Sequence, residues 1–275
     1  MAVTDFQREL CRLIAANRIS LGTSYVAGGV ALNTLIESGR ISRDIDIFHD
    51  TAEAVLAAWE ADRRVLEAGT YTVQPLRVLP SFVEALVRKG DGAVVLQWAR
   101  DSAFRFFPLV EDPTFGLTMH SFDLATNKVL AMAGRLEARD WIDAMACHER
   151  IQNLGYLVWA ACGKDPGFGP TSLIAEASRG GRYSYEEIAL LSFDGPPPDA
   201  AALGRSWHAM LNEAQRIIAL LPAEQVGTCV MNTSGELFRG GPLALEAALS
   251  AETLRYHHGT IRGAWPRVVG PPGPS

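Results

Sequence analysis

Residues 25–48 read YVAGGVALNTLIESGRISRDIDIF. The apolar run Tyr25-Val26-Ala27 stops at Gly28-Gly29 and resumes from Ala31 to Glu37, a pattern that predicts strand, tight turn and helix, with Gly39 ending the helix. Fourteen residues separate the glycine pair from Asp44-Ile45-Asp46-Ile47-Phe48. Polar and apolar residues alternate there, so the segment should be a strand with both carboxylates on one face. Carboxylates at i and i+2 lie roughly 6 to 7 Å apart along a strand, close enough to ligate one or two Mg²⁺ ions that also bind phosphate oxygens. Without a cation the two acids repel each other. Glycines lack a Cβ, so their N–H groups can approach a phosphate, and a helix starting near Val30 would aim its positive end at the same anion. Read separately, the glycine pair is an ordinary turn and Asp-x-Asp a solvated strand edge; their order and spacing point to phosphate chemistry.

Outward from this stretch, Phe6, Leu10, Leu13 and Ile14 mark an amphipathic helix over residues 5–18. A second helix is expected over Ala52–Ala68, with Leu56, Trp59, Arg63 and Leu66 along one stripe. Strands follow at Tyr71–Leu79, Phe82–Arg88 and Ala93–Trp98, the last two joined by the hairpin Lys89-Gly90-Asp91-Gly92. From Ser121 the pattern turns helical: Asp123–Leu136, Asp140–Gln152, Leu154–Cys162, Thr171–Arg179, Tyr185–Leu191 and Asp199–Leu221. Val226–Phe238, around Asn232-Thr233-Ser234-Gly235, reads as one hairpin. The expected organisation is an α+β domain over residues 1–120, a mainly α-helical domain over 121–265 and a disordered tail over 266–275.

The 275 residues, 48% of them hydrophobic, can bury two modest cores. Lys plus Arg number 25 and Asp plus Glu 31, a net charge of −6, which argues against a globally basic nucleic-acid coat but allows a local basic groove. Four cysteines without metal-ligand spacing read as reduced. Neither a signal-peptide core nor a run of about 18 apolar residues occurs, so the expected location is the cytoplasm, with no membrane partner.

Tyr25-Val-Ala-Gly-Gly-Val-Ala-Leu-Asn33, followed by Arg40-Ile-Ser-Arg-Asp-Ile-Asp-Ile-Phe48, resembles the nucleotidyltransferase signature of the AbiEii/AbiGii toxin family. Asp123-Leu-Ala-Thr-Asn-Lys128, Arg135 and Arg139-Asp-Trp-Ile-Asp143 resemble that family's later Lys and Asp motifs. The resemblance spans about residues 22–145. It implies a polymerase-β-like nucleotidyltransferase domain with a small mixed sheet, followed by a helical region. It also implies chemistry on an NTP with Mg²⁺ and, in some members, transfer to the 3′ end of tRNA within toxin–antitoxin systems. An RNA acceptor and a cognate antitoxin protein are the partners it suggests. By the same resemblance Asp44 and Asp46 are metal ligands, Lys128 is a triphosphate contact and Asp140 is a further catalytic or structural acid. Gly28, Gly29, Asn33 and Arg43 complete the expected nucleotide-binding set.

Several of these residues have rival readings. Lys128, near the start of a helix, can reach β- and γ-phosphates or be a solvated lysine. Asp140 and Asp143 share a helix face with Arg135 and Arg139 close by, so an Arg–Asp network or an N-cap at Asp140 would explain them without catalysis. Arg40 and Arg43, read as exposed turn residues, could steer triphosphate or RNA. His49 could touch a phosphate, and Phe106 and Phe107 read as core. Many polymerase-β-like enzymes carry a third carboxylate on a later strand as a proton acceptor. Here Gln97 holds that place, leaving Asp101 or, by the resemblance, Asp140 as the base. The leading expectation is NMP transfer to RNA. The alternatives are transfer to a small molecule such as an aminoglycoside, and a non-catalytic nucleotide-binding relative.

Overall fold

The computed structural model describes residues 3–179 and 183–266. Of the expected tail, residues 267–275 lie outside the described residues. By contact the chain divides into two compact units: Met1–Ala103 with Leu109–Leu124 and Glu186–Pro197, and Phe104–Pro108 with Ala125–Tyr185 and Pro198–Ser275.

The first unit opens with α1 (Asp5–Leu21). The Thr4 hydroxyl accepts from the Gln7 N–H while the Gln7 side chain accepts from the Thr4 N–H, a reciprocal cap that satisfies two orphan donors. Next come β1 (Ser24–Ala27), α2 (Gly28–Leu35), β2 (Arg40–Ile41), β3 (Asp44–His49), α3 (Ala52–Ala68), β4 (Thr72–Leu79), β5 (Phe82–Lys89) and β6 (Gly92–Arg100). After β7 (Phe104–Arg105), which belongs to the second unit, come β8 (Val110–Asp112) and β9 (Gly116–Thr118). The sheet order is β4-β5-β6-β3-β1-β9-β8, with β3/β6 and β1/β9 parallel and the other pairs antiparallel. The segment expected as strand, turn, helix and strand is thus β1, α2 and β3, with β3 at the centre of the sheet.

Two local expectations shift. Gly39 does not end α2: Glu37 takes the left-handed position (φ 49) and the Ser38 N–H bonds the Asn33 carbonyl at 2.9 Å, so the chain turns two residues earlier. On α3 the buried face is Val55, Ala58, Trp59, Asp62 and Leu66, leaving Leu56 exposed. The face rotates because Asp62 points inward. Its carboxylate pairs with the buried Arg18 of α1 and accepts from Trp98 Nε1 at 2.8 Å and Asn17 Nδ2 at 2.7 Å. Asp62 is thus the hub joining α1, α3 and β6, a buried charge tolerated because it is paired and hydrogen-bonded.

The later elements are α4 (Ser121–Arg135), α5 (Ala138–Arg150), α6 (Leu154–Ala161), α7 (Pro170–Arg179), α8 (Tyr185–Ala189), β10 (Ser192–Phe193), α9 (Ala200–Leu220), β11 (Thr228–Asn232), α10 (Pro242–Ser250), β12 (Leu254–His258) and β13 (Thr260–Ile261). β10 pairs with β2 inside the first unit. In the second unit Tyr156 and Trp159 of α6 pack with Ile217, Leu221, Val230 and Leu245. The hairpin expected over residues 226–238 forms in a short version: the Phe238 N–H bonds the Val230 carbonyl at 3.0 Å and the Asn232 N–H the Glu236 carbonyl at 2.9 Å, around a bridge from Met231 to Leu237, and β11 also pairs along its length with β12. The four cysteines are free and buried, and burial pushes the Cys11 thiol up to about 12. No helix among the described residues is long and apolar enough to cross a membrane.

Candidate functional site

β3 has a helix-covered face and an opposite face. Ile45, Ile47 and His49 are buried on the first; Asp44, Asp46 and Phe48 are half-exposed on the second. Ala27 stands in register with Asp46, which brings the glycine turn against the second carboxylate. Gly28 has φ +65, and a Cβ built there would fall within the Asp46 carboxylate, 2.9 Å from its Cγ. Position 28 therefore requires glycine for its backbone and for its space.

Gly29 makes a second close approach. A Cβ there would lie 2.7 Å from Arg40 Nη2 and 3.0 Å from Ser42 Oγ. Arg40, expected to be exposed, is only 4% exposed and tucks its guanidinium beneath the turn. Ser42 Oγ donates to Asp44 Oδ1 at 3.1 Å, and Gln7 Nε2 of α1 donates to the Ser42 carbonyl at 2.9 Å, so α1 steadies the loop leading into β3. Ala27, at the N-cap of α2, supplies no side-chain cap, which leaves first-turn N–H groups to be satisfied by water or an anion.

These features make opposite electrostatic demands. The start of α2 and Arg40 favour an anion, while Asp44 and Asp46 beside them repel one. A divalent cation between carboxylates and anion satisfies both. Two hard carboxylates on one face suit Mg²⁺, although among the described residues no group of three His, Cys, Asp or Glu that could hold a metal ion occurs. Mg²⁺ takes its remaining ligands from water and substrate phosphates in such sites.

Other expected site residues sit elsewhere. Arg43 is turned away from the carboxylates, with Nη2 donating to the Leu190 carbonyl at 2.7 Å and Nε to Ser192 Oγ at 3.4 Å. Asn33 is fully buried with both amide heteroatoms lacking a hydrogen bond. It lies roughly 7.5 Å along α2 from Gly28, in the wall of a cavity of about 420 Å³ shared with Arg8, Glu37 and Ser38. The Asp101 carboxylate accepts from the Ser102 N–H at 2.7 Å, beyond the end of β6. It is four residues past Gln97, roughly 13 Å along the strand. His49 is fully buried with Nε2 3.0 Å from Ser24 Oγ, and burial, reinforced by the Arg18 charge, pushes its pKa down to about 4. It is a neutral core group and not a phosphate contact. Phe106 and Phe107 are buried, as expected of core residues.

In the second unit Lys128, Asp140 and Asp143 form a buried cluster. Lys128 Nζ is 2.8 Å from Asp140 Oδ1 and 3.1 Å from Asp143 Oδ2. Arg135 adds bonds to Asp140 at 3.0 and 3.1 Å, and both aspartates are fully buried. Asp140 lies within the first turn of α5, whose N-cap is Glu137; Arg139 pairs with that Glu137 at 2.7 Å.

One polar residue escaped the sequence reading. Asp46 stands in register with Gln97 of β6, and Gln97 with Glu84 of β5, so the three form one cross-strand row on one face. Gln97 Nε2 donates to Glu84 Oε1 at 2.9 Å. The alternation of β5 marks Glu84 as lying off the helix-covered face, but no local pattern reveals its partner.

No protein-family model matches the chain, and no curated protein matches its sequence. Among solved structures, a Helicobacter pylori protein assigned as a nucleotidyltransferase aligns over 78% of this chain and 96% of its own, at TM-score 0.53 and 16% identity. JHP933 from Helicobacter pylori aligns over 79% and 95%, at TM-score 0.50 and 12% identity. MenT4, a nucleotidyltransferase toxin of Mycobacterium tuberculosis, aligns over 78% and 86%, at TM-score 0.49 and 21% identity. The chain therefore has an α+β nucleotidyltransferase fold, in which a mixed sheet carries Asp44 and Asp46 against a glycine turn and a mainly helical region follows.

Proposed function

We propose that the protein is an Mg²⁺-dependent nucleotidyltransferase that moves an NMP from an NTP to an acceptor hydroxyl, with a tRNA 3′ end first among acceptors and a toxin of the AbiEii/AbiGii kind as its setting. The observation that carries this reading is the fit of the Asp46 carboxylate into the space left by the missing Gly28 side chain. It sets a metal-ligating oxygen directly beside a phosphate cradle. Gly28, Gly29 and the buried Arg40 would hold the triphosphate, and Asp44 and Asp46 would hold one or two Mg²⁺. The cation, when bound, neutralises phosphate charge and polarises the phosphorus under attack. Ser42 orients Asp44 through its hydrogen bond. The family resemblance adds Lys128 as a triphosphate contact. In that role Asp140 and Asp143 fix its ammonium group, and Asp140 orients more than it catalyses.

The test is incubation of the purified protein with each α-labelled NTP, with Mg²⁺ or with EDTA, and with total RNA or a panel of aminoglycosides. Mg²⁺-dependent label at tRNA 3′ ends is the expected result. Label confined to a small molecule would replace the acceptor, and NTP binding without any transfer would remove the enzyme reading. Purification with a tightly held second protein from the native host would support the toxin setting.

A further inference from the structure

We propose that Glu84 is the general base of this transfer, filling the role that Gln97 cannot; the inference rests on the reading just given. Asp46, Gln97 and Glu84 occupy one register row across β3, β6 and β5, and their side chains share the face opposite the covering helices. Adjacent strands are about 4.8 Å apart, so Glu84 stands roughly 10 Å from Asp46 by Cα with Gln97 between them. A hydroxyl held over Gln97 has Asp46 on one side and the longer Glu84 side chain on the other. Gln97 commits its amide N–H to Glu84 at 2.9 Å, and its carbonyl oxygen is the end that can accept from the hydroxyl and orient it. Arg77 of β4 stands in register with Glu84 on its far side, the charged neighbour from that edge of the sheet.

The rival acids are committed elsewhere. Asp101 lies past the end of β6, and both oxygens of Asp140 are occupied by Lys128 and Arg135. Glu84 stands two strands away from Asp46, so its part concerns the proton and not the metal. In the step, the acceptor oxygen forms a bond to the α-phosphorus of the NTP as the bond from that phosphorus to the β-phosphate oxygen breaks. Pyrophosphate leaves with the electron pair, and the hydroxyl proton passes to the Glu84 carboxylate.

The experiment compares the unaltered protein with Glu84→Gln and with the exchanged pair Glu84→Gln/Gln97→Glu, using labelled NTP, Mg²⁺ and total RNA. Single-turnover transfer, NTP affinity and melting temperature are read for each. Glu84→Gln should slow transfer by about 10²- to 10⁴-fold, leave NTP affinity within a few-fold and lose the acidic limb of the rate–pH profile. The exchanged pair should recover at least tenfold over Glu84→Gln, since it returns a carboxylate to the row beside Asp46. Transfer by Glu84→Gln at the unaltered rate and pH profile would overturn the assignment while leaving the nucleotidyltransferase reading intact. So would a hundredfold loss in Asp101→Asn with none in Glu84→Gln. Absence of transfer by the unaltered protein with every acceptor would overturn both.

Discussion

The two aspartate pairs of this protein differ in how their charge is balanced. Asp140 and Asp143 are fully buried, and Lys128 and Arg135 supply the opposite charge at distances of 2.8 to 3.1 Å. Asp44 and Asp46 remain half-exposed on a strand, beside a glycine turn and a buried arginine that favour a phosphate. The first pair is neutralised by the protein's own side chains, so its contribution is to position Lys128 and join α4 to α5. The second pair is half-exposed, where a cation from solvent could reach it, and holding that cation is the role the proposed function gives it. An acid motif seen in sequence can therefore be a metal site or an internal ion cluster, and the surrounding charges decide which.

The largest effect expected to separate the pairs is loss of transfer in Asp46→Asn. The substitution keeps shape but removes a metal-ligating charge and should cost roughly 10³-fold in rate, the scale of losing one preorganised electrostatic contact. Its melting temperature should fall less than that of Asp140→Asn, because Asp46 is half-exposed and Asp140 fully buried. Full activity in this variant would erase the distinction between the pairs.

Asp140→Asn should show the opposite balance. The substitution removes one of the carboxylate charges that pair with the buried Lys128, and breaking a buried ion pair costs about 3 kcal/mol. Urea unfolding should show that loss as a lower midpoint, with transfer per folded molecule reduced far less than in Asp46→Asn. Normal stability combined with abolished transfer would move Asp140 into the chemistry and make the pairs alike.

A smaller, pH-dependent effect separates loss of fold from loss of activity. Burial, and then the Arg18 charge, hold the folded pKa of His49 at about 4 against an ordinary 6.5. As pH falls the unfolded chain takes up this proton first, so the stability that His49 contributes is full above 6.5 and is lost progressively towards 4. Between pH 6.5 and 5 the loss should be ~1.5 kcal/mol. Urea midpoints at these two pH values, compared with His49→Gln, should show a slope that the variant flattens. An equal slope in both proteins would assign the acid sensitivity to other groups.

Much of the first unit was legible because its signals are local. The alternation of residues 44–48, the break at Gly28-Gly29 and the 3.6-residue spacing of α1 and α3 each lie within one turn or one strand, and the structure follows them. What failed involved partners distant in the chain. The inward face of α3 depended on Asp62 finding Arg18, 44 residues away. The strand Leu254–His258, which the sequence reading did not expect, pairs along β11 from more than 20 residues away.

The sequence by itself determined that two carboxylates share a strand face and that a glycine turn precedes them, since side-chain period and backbone freedom are properties of neighbouring residues. Only the tertiary structure decided that Arg40 enters the cradle while Arg43 turns to Leu190, that Asp140 is held by Lys128 and Arg135, and that Glu84 joins the row of Asp46. The physical reason is strand register: which residue of β6 stands beside Asp46 depends on pairing between segments about 50 residues apart in sequence, and no local pattern encodes that alignment.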